Sequence, residues 1–477
     1  MLFNSFAFLF VFLPLAWLGY FGLNRLGRFE AAIVFLALAS LVFYGCWNVR
    51  YVPLIAATMA LNYAVSSRLR TLAAQGRRSR ALLAAGLLVG LGVLGWFKYS
   101  DFASENLNAV FGLALPLRHL VLPLGVSFYV FEEIVFMLDS WRGLTRGTPF
   151  HHYALFVLFF PHLIAGPIIH HAEILPQFRD PRRRQPLPRW LARGLFLFAV
   201  GLCKKVVLAD GLAPWARQAF DQLPALTPFQ AWAGSIAFSL QLYFDFSGYS
   251  DMALGLASLF NIRLPVNFAS PYRSTGLRDF WRRWHITLGR FLRETLYVPF
   301  GGNRKGEART FVNVVATFLI GGLWHGAAWT FVLWGGLHGL GQSLERLWGR
   351  VFRPLPRALA WALTLLYVHL AWVFFRAHSL AAAGKVFRGL CGLDRAPAAP
   401  LLDQALALNE SLHSIVDAYF TLALLGLGLG LVFLAPNSQT LTRRLKPGWR
   451  WALATAALLV LGFMNLERPS EFLYFNF

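Results

Sequence analysis

Charge is scarce in this chain: of 477 residues, 14% are Asp, Glu, Lys or Arg, against 57% hydrophobic. A soluble domain averages about 25% charged residues, so an ordinary cytosolic globule and a disordered chain are both excluded, and the mean hydropathy of +0.53 agrees. Acidic residues are scarcer than basic ones, 22 against 44. In a soluble protein such an excess would suggest nucleic acid. Here the basic residues sit in short loops between apolar stretches, as in the cytoplasmic loops of membrane proteins, so no nucleic-acid partner is expected. Cysteine is nearly absent. Cys46, Cys203 and Cys391 are isolated, which excludes a disulfide framework and leaves small buried hydrophobes as the default reading. There is no Walker loop, Gly-x-Gly-x-x-Gly fingerprint or His-Glu-x-x-His pair, and no Gly-x-Ser-x-Gly elbow. Internal repeats are missing too, and the Ala/Pro stretch Arg395-Ala396-Pro397-Ala398-Ala399-Pro400 reads as a loop.

What is present is a nearly continuous series of apolar stretches, read as one polytopic all-α membrane domain over residues 1–477. A span needs about 20 mostly apolar residues. Candidates lie near 5–23, 31–48, 51–66, 81–99, 119–138, 152–171, 190–209, 229–260, 311–344, 358–376, 415–435 and 450–465. Ten to twelve spans are expected, short interrupted helices among them. The stretch 311–344 would make a helix of about 51 Å, too long for a hydrocarbon core of about 30 Å, so it must be two elements, or one plus a re-entrant piece. Met1 to Tyr20 lacks a basic n-region and a cleavage site and reads as an uncleaved first span. The cluster Glu471 to Phe477 is rich in aromatics suited to the membrane interface.

Arginine gives orientation. Arg68, Arg70, Arg77, Arg78 and Arg80 crowd one loop without an acid, and Arg179, Arg182, Arg183, Arg184, Arg189 and Arg193 outnumber Glu173 and Asp180 in another. Both loops are expected on the cytoplasmic side. Three candidate spans separate them, an odd number, so one should be re-entrant. The 152–171 segment, with Pro161, Gly166 and Pro167, is the choice.

Three polar features interrupt the apolar series. From Ile262 to Arg309 there are ten basic residues and three acids. Within it Trp281, Trp284, His285 and Leu288 share a face at helical spacing, while Arg282, Arg283, Arg290 and Arg293 lie mostly elsewhere, which predicts an amphipathic interfacial helix. Its arginines suit anionic lipid or the phosphates of a ligand. Second, Gly321-Gly322-Leu323-Trp324-His325-Gly326 places a histidine at membrane depth, where an ionisable residue is a functional-site hypothesis and a broken helix must be buried or line a cavity. His338, 13 residues on, would face a nearly opposite side of one ideal helix and reads as support or packing. Third, Asp245 and Asp251 interrupt a span, and Asp245 must be paired or wetted, with nearby arginines able to serve and a structural ion pair favoured over acid–base work. His151-His152 and His170-His171 are doublets in turn regions without a carboxylate set to complete a metal site, so no metal is expected.

These residues fall into stretches that resemble a known family. Leu122 to Tyr129, Phe160 to Pro167, Gln241 to Met252, Phe280 to Ile286, Gly301-Gly302-Asn303-Arg304, Gly322 to Trp329 and Phe472 to Phe477 follow one another in the order seen in membrane-bound O-acyltransferases, the MBOAT family. The chain is most similar to the membrane subunit type of alginate O-acetylation, and it also resembles peptidoglycan O-acetyltransferases and the D-alanyl transfer protein of teichoic acids. The resemblance implies a ring of helices with funnels from both membrane faces. It implies acetyl taken from cytoplasmic acetyl-CoA and exported across the bacterial inner membrane for O-acetylation of a polysaccharide, with a periplasmic SGNH-type acetyltransferase subunit as partner. His325 matches the family's essential histidine and His285 a second histidine near the channel. Phe131-Glu132-Glu133-Ile134 and Ser140-Trp141-Arg142-Gly143 depart from the commonest variants.

Physical chemistry agrees with that reading. A thioester is already activated, so the missing piece is a base for the acceptor hydroxyl, and imidazole, with an unperturbed pKa near 6.5, suits the task. His325 is the expected general base, with His285 positioning the acyl carbonyl and Arg282 and Arg283 near the coenzyme phosphates. The competing class is a transporter or flippase with His325 and Asp245 as a proton relay; the lack of an internal repeat disfavours it.

Overall fold

The computed structural model describes residues 1–145, 147–394, 400–408, 415–446, 448–466 and 472–473, and among them every regular element is helical. Residues 395–399 of the expected Ala/Pro loop, and the terminal aromatic cluster apart from Phe472 and Leu473, lie outside the described residues. The architecture is that of an all-α polytopic membrane protein. Its helices form two compact units of interleaved chain: Met1–Val200 with Tyr249–Pro265 and Leu445–Leu458, and Gly201–Gly248 with Val266–Arg444 and Leu459–Phe477.

Among the described residues, three helices are long and apolar enough to cross a membrane alone: Phe8–Arg25, Arg80–Phe111 and Arg357–Arg376. A fourth candidate is the pair Ala418–Phe433 and Ser438–Arg444, bent by 64°. The other expected spans fall on helices that are shorter, broken, or punctuated by polar side chains.

In the first unit, Arg80–Phe111 starts where the Ser79 hydroxyl accepts from the Leu82 N–H at 3.1 Å and stops at Gly112, whose φ of 66° ends the helix in the left-handed region. Of its 32 residues, Gly86 and Leu94 are the buried ones. A Cβ at Gly86 would stand 2.6 Å from the Met137 sulfur and 2.9 Å from Val65 Cγ1. That position is therefore where the helices Val52–Ala74 and Val126–Trp141 press against this one.

The segment chosen as re-entrant is broken. Helix Phe150–Leu158 is about 14 Å long at 1.5 Å per residue, gives way at Phe159 (ψ 104°) to the single turn Phe160–Leu163, and ends with the ring of His171 at 3.4 Å from the Leu144 carbonyl. The chain thus returns to the connection it left. Both arginine-rich loops meet that same connection: the Arg70 guanidinium donates to the carbonyls of Thr148 (2.8 Å) and Thr145 (3.2 Å), and Arg179 donates to that of Gly147 (3.4 Å). On the second loop, the backbone N–H of Arg182, then its guanidinium, hold the Asp180 carboxyl below the usual carboxylate range.

In the second unit the overlong stretch is two helices, Gly306–His325 and Trp329–Val351, divided by the extended residues Gly326 and Ala328. They pack backbone to backbone. A Cβ at Gly322 would lie 2.3 Å from the Phe331 carbonyl oxygen, and one at Gly335 2.2 Å from that of Phe318, so only glycine allows this approach. The break leaves His325 as the last residue of its helix.

Candidate functional site

His325 is buried in the second unit among aromatic rings. Its own ring centroid lies 4.8 Å from Trp324, 5.1 Å from Trp334 and 5.3 Å from Phe375, each edge-on. Three helices supply these rings: Gly306–His325, Trp329–Val351 and Arg357–Arg376. His338 belongs to the same cluster, because the break before Trp329 removes the single-helix geometry that set it opposite His325. Trp334 touches both rings, His338 at 5.0 Å, and Trp281 Nε1 donates to His338 Nδ1 at 3.3 Å.

His285 also reaches the cluster, but not from the helix expected. The amphipathic pattern over 281–288 predicts a continuous helix; the structure has two short ones, Leu277–Trp281 and Ile286–Leu292, with His285 between them at φ 44°. A non-glycine residue in the left-handed region costs about 1–3 kcal/mol and persists only where its surroundings over-determine it. They do so here through Asn267, whose carbonyl accepts from Ile286 N–H (3.1 Å) and whose side-chain oxygen accepts from Thr287 N–H (3.2 Å) and the Thr287 hydroxyl (2.7 Å). The strained turn drives the His285 ring fully inside, 4.7 Å from Phe246 and 6.5 Å from His325 between centroids. Sequence periodicity put Trp281, Trp284 and His285 on one face and missed this break.

The same turn carries the arginines. Arg282 is exposed, Arg283 is half-buried with its Nε 3.0 Å from Asp279 Oδ1, and Trp284 and His285 are buried. Within four residues the chain passes from solvent to the histidine cluster.

Asp245 is paired, though by a lysine and not by the arginines expected. Lys205 Nζ lies 2.8 Å from Asp245 Oδ1 and 2.6 Å from Asp210 Oδ1, all three side chains buried, and Asp245 Oδ2 accepts from the Leu473 N–H at 3.0 Å. This is the ion pair foreseen for Asp245, with the partner corrected: Lys205 lies on the neighbouring π-helical turn Lys204–Ala209.

Other polar groups were not anticipated. His369 sits on Arg357–Arg376, bonded to the Ser235 and Ser239 hydroxyls (3.2 and 2.9 Å) and stacked on Trp232. The rule that singled out His325, an ionisable group in an apolar span, applies to it equally. With Trp361, Trp372 and Phe433 it lines an apolar cavity of about 260 Å³. Neither His285 nor His325 lines that cavity, but its wall residue Trp372 stacks on Trp334 at 5.6 Å. In the first unit, His162 Nδ1 lies 3.0 Å from Glu132 Oε1 with both side chains buried, and the doublet His170-His171 faces Asp139 at 3.6 and 3.2 Å. The other doublet, His151-His152, meets Glu30. Each doublet therefore has a carboxylate, brought from another helix and invisible in the sequence around it.

Residues 130–384 match the family model of the membrane-bound O-acyltransferase family, MBOAT. Over its whole length the chain is 40% identical to a peptidoglycan O-acetyltransferase of Helicobacter pylori, covering 98% of that protein. It is 37% identical to a probable alginate O-acetylase AlgI of Pseudomonas putida, with both chains covered completely. A teichoic acid D-alanyltransferase of Bacillus subtilis is 24% identical over half of this chain and 64% of its own.

Proposed function

The chain belongs to the membrane-bound O-acyltransferase family, and from that premise we propose that it takes acetyl from acetyl-CoA on the cytoplasmic face of the bacterial inner membrane and passes it across for O-acetylation of an exported polysaccharide, alginate or a related polymer. A periplasmic acetyltransferase subunit of the SGNH type is the proposed receiver. The observation that carries the reading is the meeting of His325 and His285, 6.5 Å apart between ring centroids and buried among aromatic rings, at the end of a turn that carries Arg282 and Arg283.

The acceptor hydroxyl gives its proton to His325 as its oxygen attacks the thioester carbonyl, the carbon–sulfur bond breaks, and the proton passes to the departing thiolate to give free CoA. General-base assistance of this kind is typically worth 10²–10⁴ in rate. His285, fixed by its strained turn, positions the acyl carbonyl; Arg282 and Arg283 hold the coenzyme phosphates by charge-assisted hydrogen bonds. The surrounding tryptophans keep water from the thioester.

The reading is tested in sealed vesicles holding the partner subunit and polysaccharide inside, with labelled acetyl-CoA outside. It requires label in the polymer and free CoA released outside in equal amounts. A competent partner with no CoA release would sink it, and movement of an intact acylated or lipid-linked sugar would put a transporter in its place.

A further inference from the structure

The mechanism leaves the doublet His151-His152 unused. His151 and His152 stand in the first turn of Phe150–Leu158, and Glu30 in the first turn of Phe29–Gly45, with side-chain exposures of 35%, 5% and 71%. The folded chain brings the three together: Glu30 Oε2 is 2.6 Å from His151 Nε2 and 2.9 Å from His152 Nε2, and the donor atoms all lie within 4.8 Å of one another. Neighbouring residues of a helix point about 100° apart, so two adjacent imidazoles converge on one point only when both rings are turned to it. Their centroids are 4.8 Å apart, at 62°.

We propose that Glu30, His151 and His152 form a binding site for a divalent transition-metal ion of the zinc class. Two imidazoles and a carboxylate are the three-protein-ligand set of open zinc sites, with water in the fourth position. In a tetrahedral site with metal–ligand distances near 2.0–2.1 Å, donor atoms stand about 3.3 Å apart. Glu30 Oε2 reaches that by moving about 0.4–0.7 Å farther from the two imidazole nitrogens, and the exposed Glu30 side chain has the freedom to swing. Buried His152 is the fixed anchor, while the exposed side of Glu30 admits the water.

Nitrogen ligands set the selectivity: imidazole suits zinc, copper, nickel and iron, whereas calcium and magnesium want oxygen alone. The surroundings sharpen it. The Arg184 guanidinium packs on the ring of Phe29, next to Glu30, so a cation held by long-range attraction alone is disfavoured and only direct ligation competes. The other doublet serves differently, since His170 is engaged as the cap of helix His171–Arg179, accepting from Glu173 N–H. An ion at Glu30 would tie the start of Phe29–Gly45 to the start of Phe150–Leu158, and by binding the folded form alone it would stabilise the unit.

The test uses the full chain in detergent, its affinity tag removed and metal stripped with chelator, titrated with Co²⁺ by visible absorption and then with Zn²⁺ in competition. One equivalent should bind, with the spectrum of a four- or five-coordinate nitrogen/oxygen site. Glu30→Gln and His151→Ala should each weaken zinc by more than the roughly 10–100-fold that loss of an outer partner costs a metal site, and His170→Ala should leave it unchanged. Glu30→Gln removes an exposed charge and keeps the fold, so a loss of binding there is a loss of ligation. Absence of stoichiometric binding in wild type, or binding equally strong in both variants, overturns the proposal and leaves an ion pair.

Discussion

The main histidine clusters of the two units keep different company. In the first, His151, His152, His162, His170 and His171 each lie within 3.6 Å of a carboxylate oxygen. In the second, His285, His325 and His338 cluster with tryptophan, phenylalanine and tyrosine rings and with one another, while His369 bonds two serine hydroxyls and His378 meets Asp221. An imidazole bound to a carboxylate is already committed, as a charge partner or a ligand. An imidazole set among aromatic rings is held chiefly by packing against them. The difference teaches that a buried histidine is not one kind of evidence, and that what surrounds the ring separates chemistry from architecture.

The sharpest way to break that contrast is to remove one histidine from each unit. His325→Ala should lower acetyl transfer by about 10²–10⁴ with little change in thermal stability. His162→Ala should do the reverse, since it leaves the Glu132 carboxylate buried without its partner at a cost of about 3–5 kcal/mol, read as a fall in Tm. Equal effects of both on one readout would erase the distinction. Lys205→Met should rank with His162→Ala in stability, as Asp210 and Asp245 would be left facing each other. Restoring balance with Asp210→Asn and Asp245→Asn should recover much of the loss, which a thermal melt of the triple variant checks.

Smaller effects should come from the turn that bears the arginines. Arg282→Ala and Arg283→Ala should raise KM for acetyl-CoA by about 10–100-fold, the worth of a hydrogen bond between charged groups, with kcat nearly kept; steady-state kinetics separates the two. The smallest effect is expected at Asp180, on a loop outside the spans. Its pKa is depressed in the folded chain, so its contribution to stability is fully present above the unfolded value near 3.9 and is lost as pH falls through the lower folded one. The Tm difference between wild type and Asp180→Asn should therefore be constant at neutral pH and close only in acid.

Much of the fold was legible because the bilayer imposes simple arithmetic. The length of 311–344 excluded a single crossing helix and left two elements or one plus a re-entrant piece; the structure has the two helices Gly306–His325 and Trp329–Val351. The odd number of candidates between two arginine-rich loops called for a segment that turns back, and the chosen 152–171 is broken at Phe159 and ends with His171 beside the Leu144 carbonyl. His325 was legible as an ionisable residue out of place. Three things were not. The break at His285 hides behind a periodicity that a continuous helix would share, and it depends on Asn267, 18 residues earlier, bonding the chain after the turn. The partner of Asp245 was sought among arginines, whereas the cation was Lys205, 40 residues away. The carboxylates that meet the histidine doublets come from other helices, Glu30 standing 121 residues before His151, and no local pattern announces a tertiary contact.

The central claim is that His325 takes the proton of the acceptor and does not merely hold the fold together. A single-turnover assay addresses it most directly: wild type and His325→Ala, each with the partner subunit and saturating labelled acetyl-CoA, with donor binding measured on the same preparations. The account predicts that the variant binds acetyl-CoA as wild type does and transfers almost none of its acetyl. Undiminished transfer by the variant would contradict it.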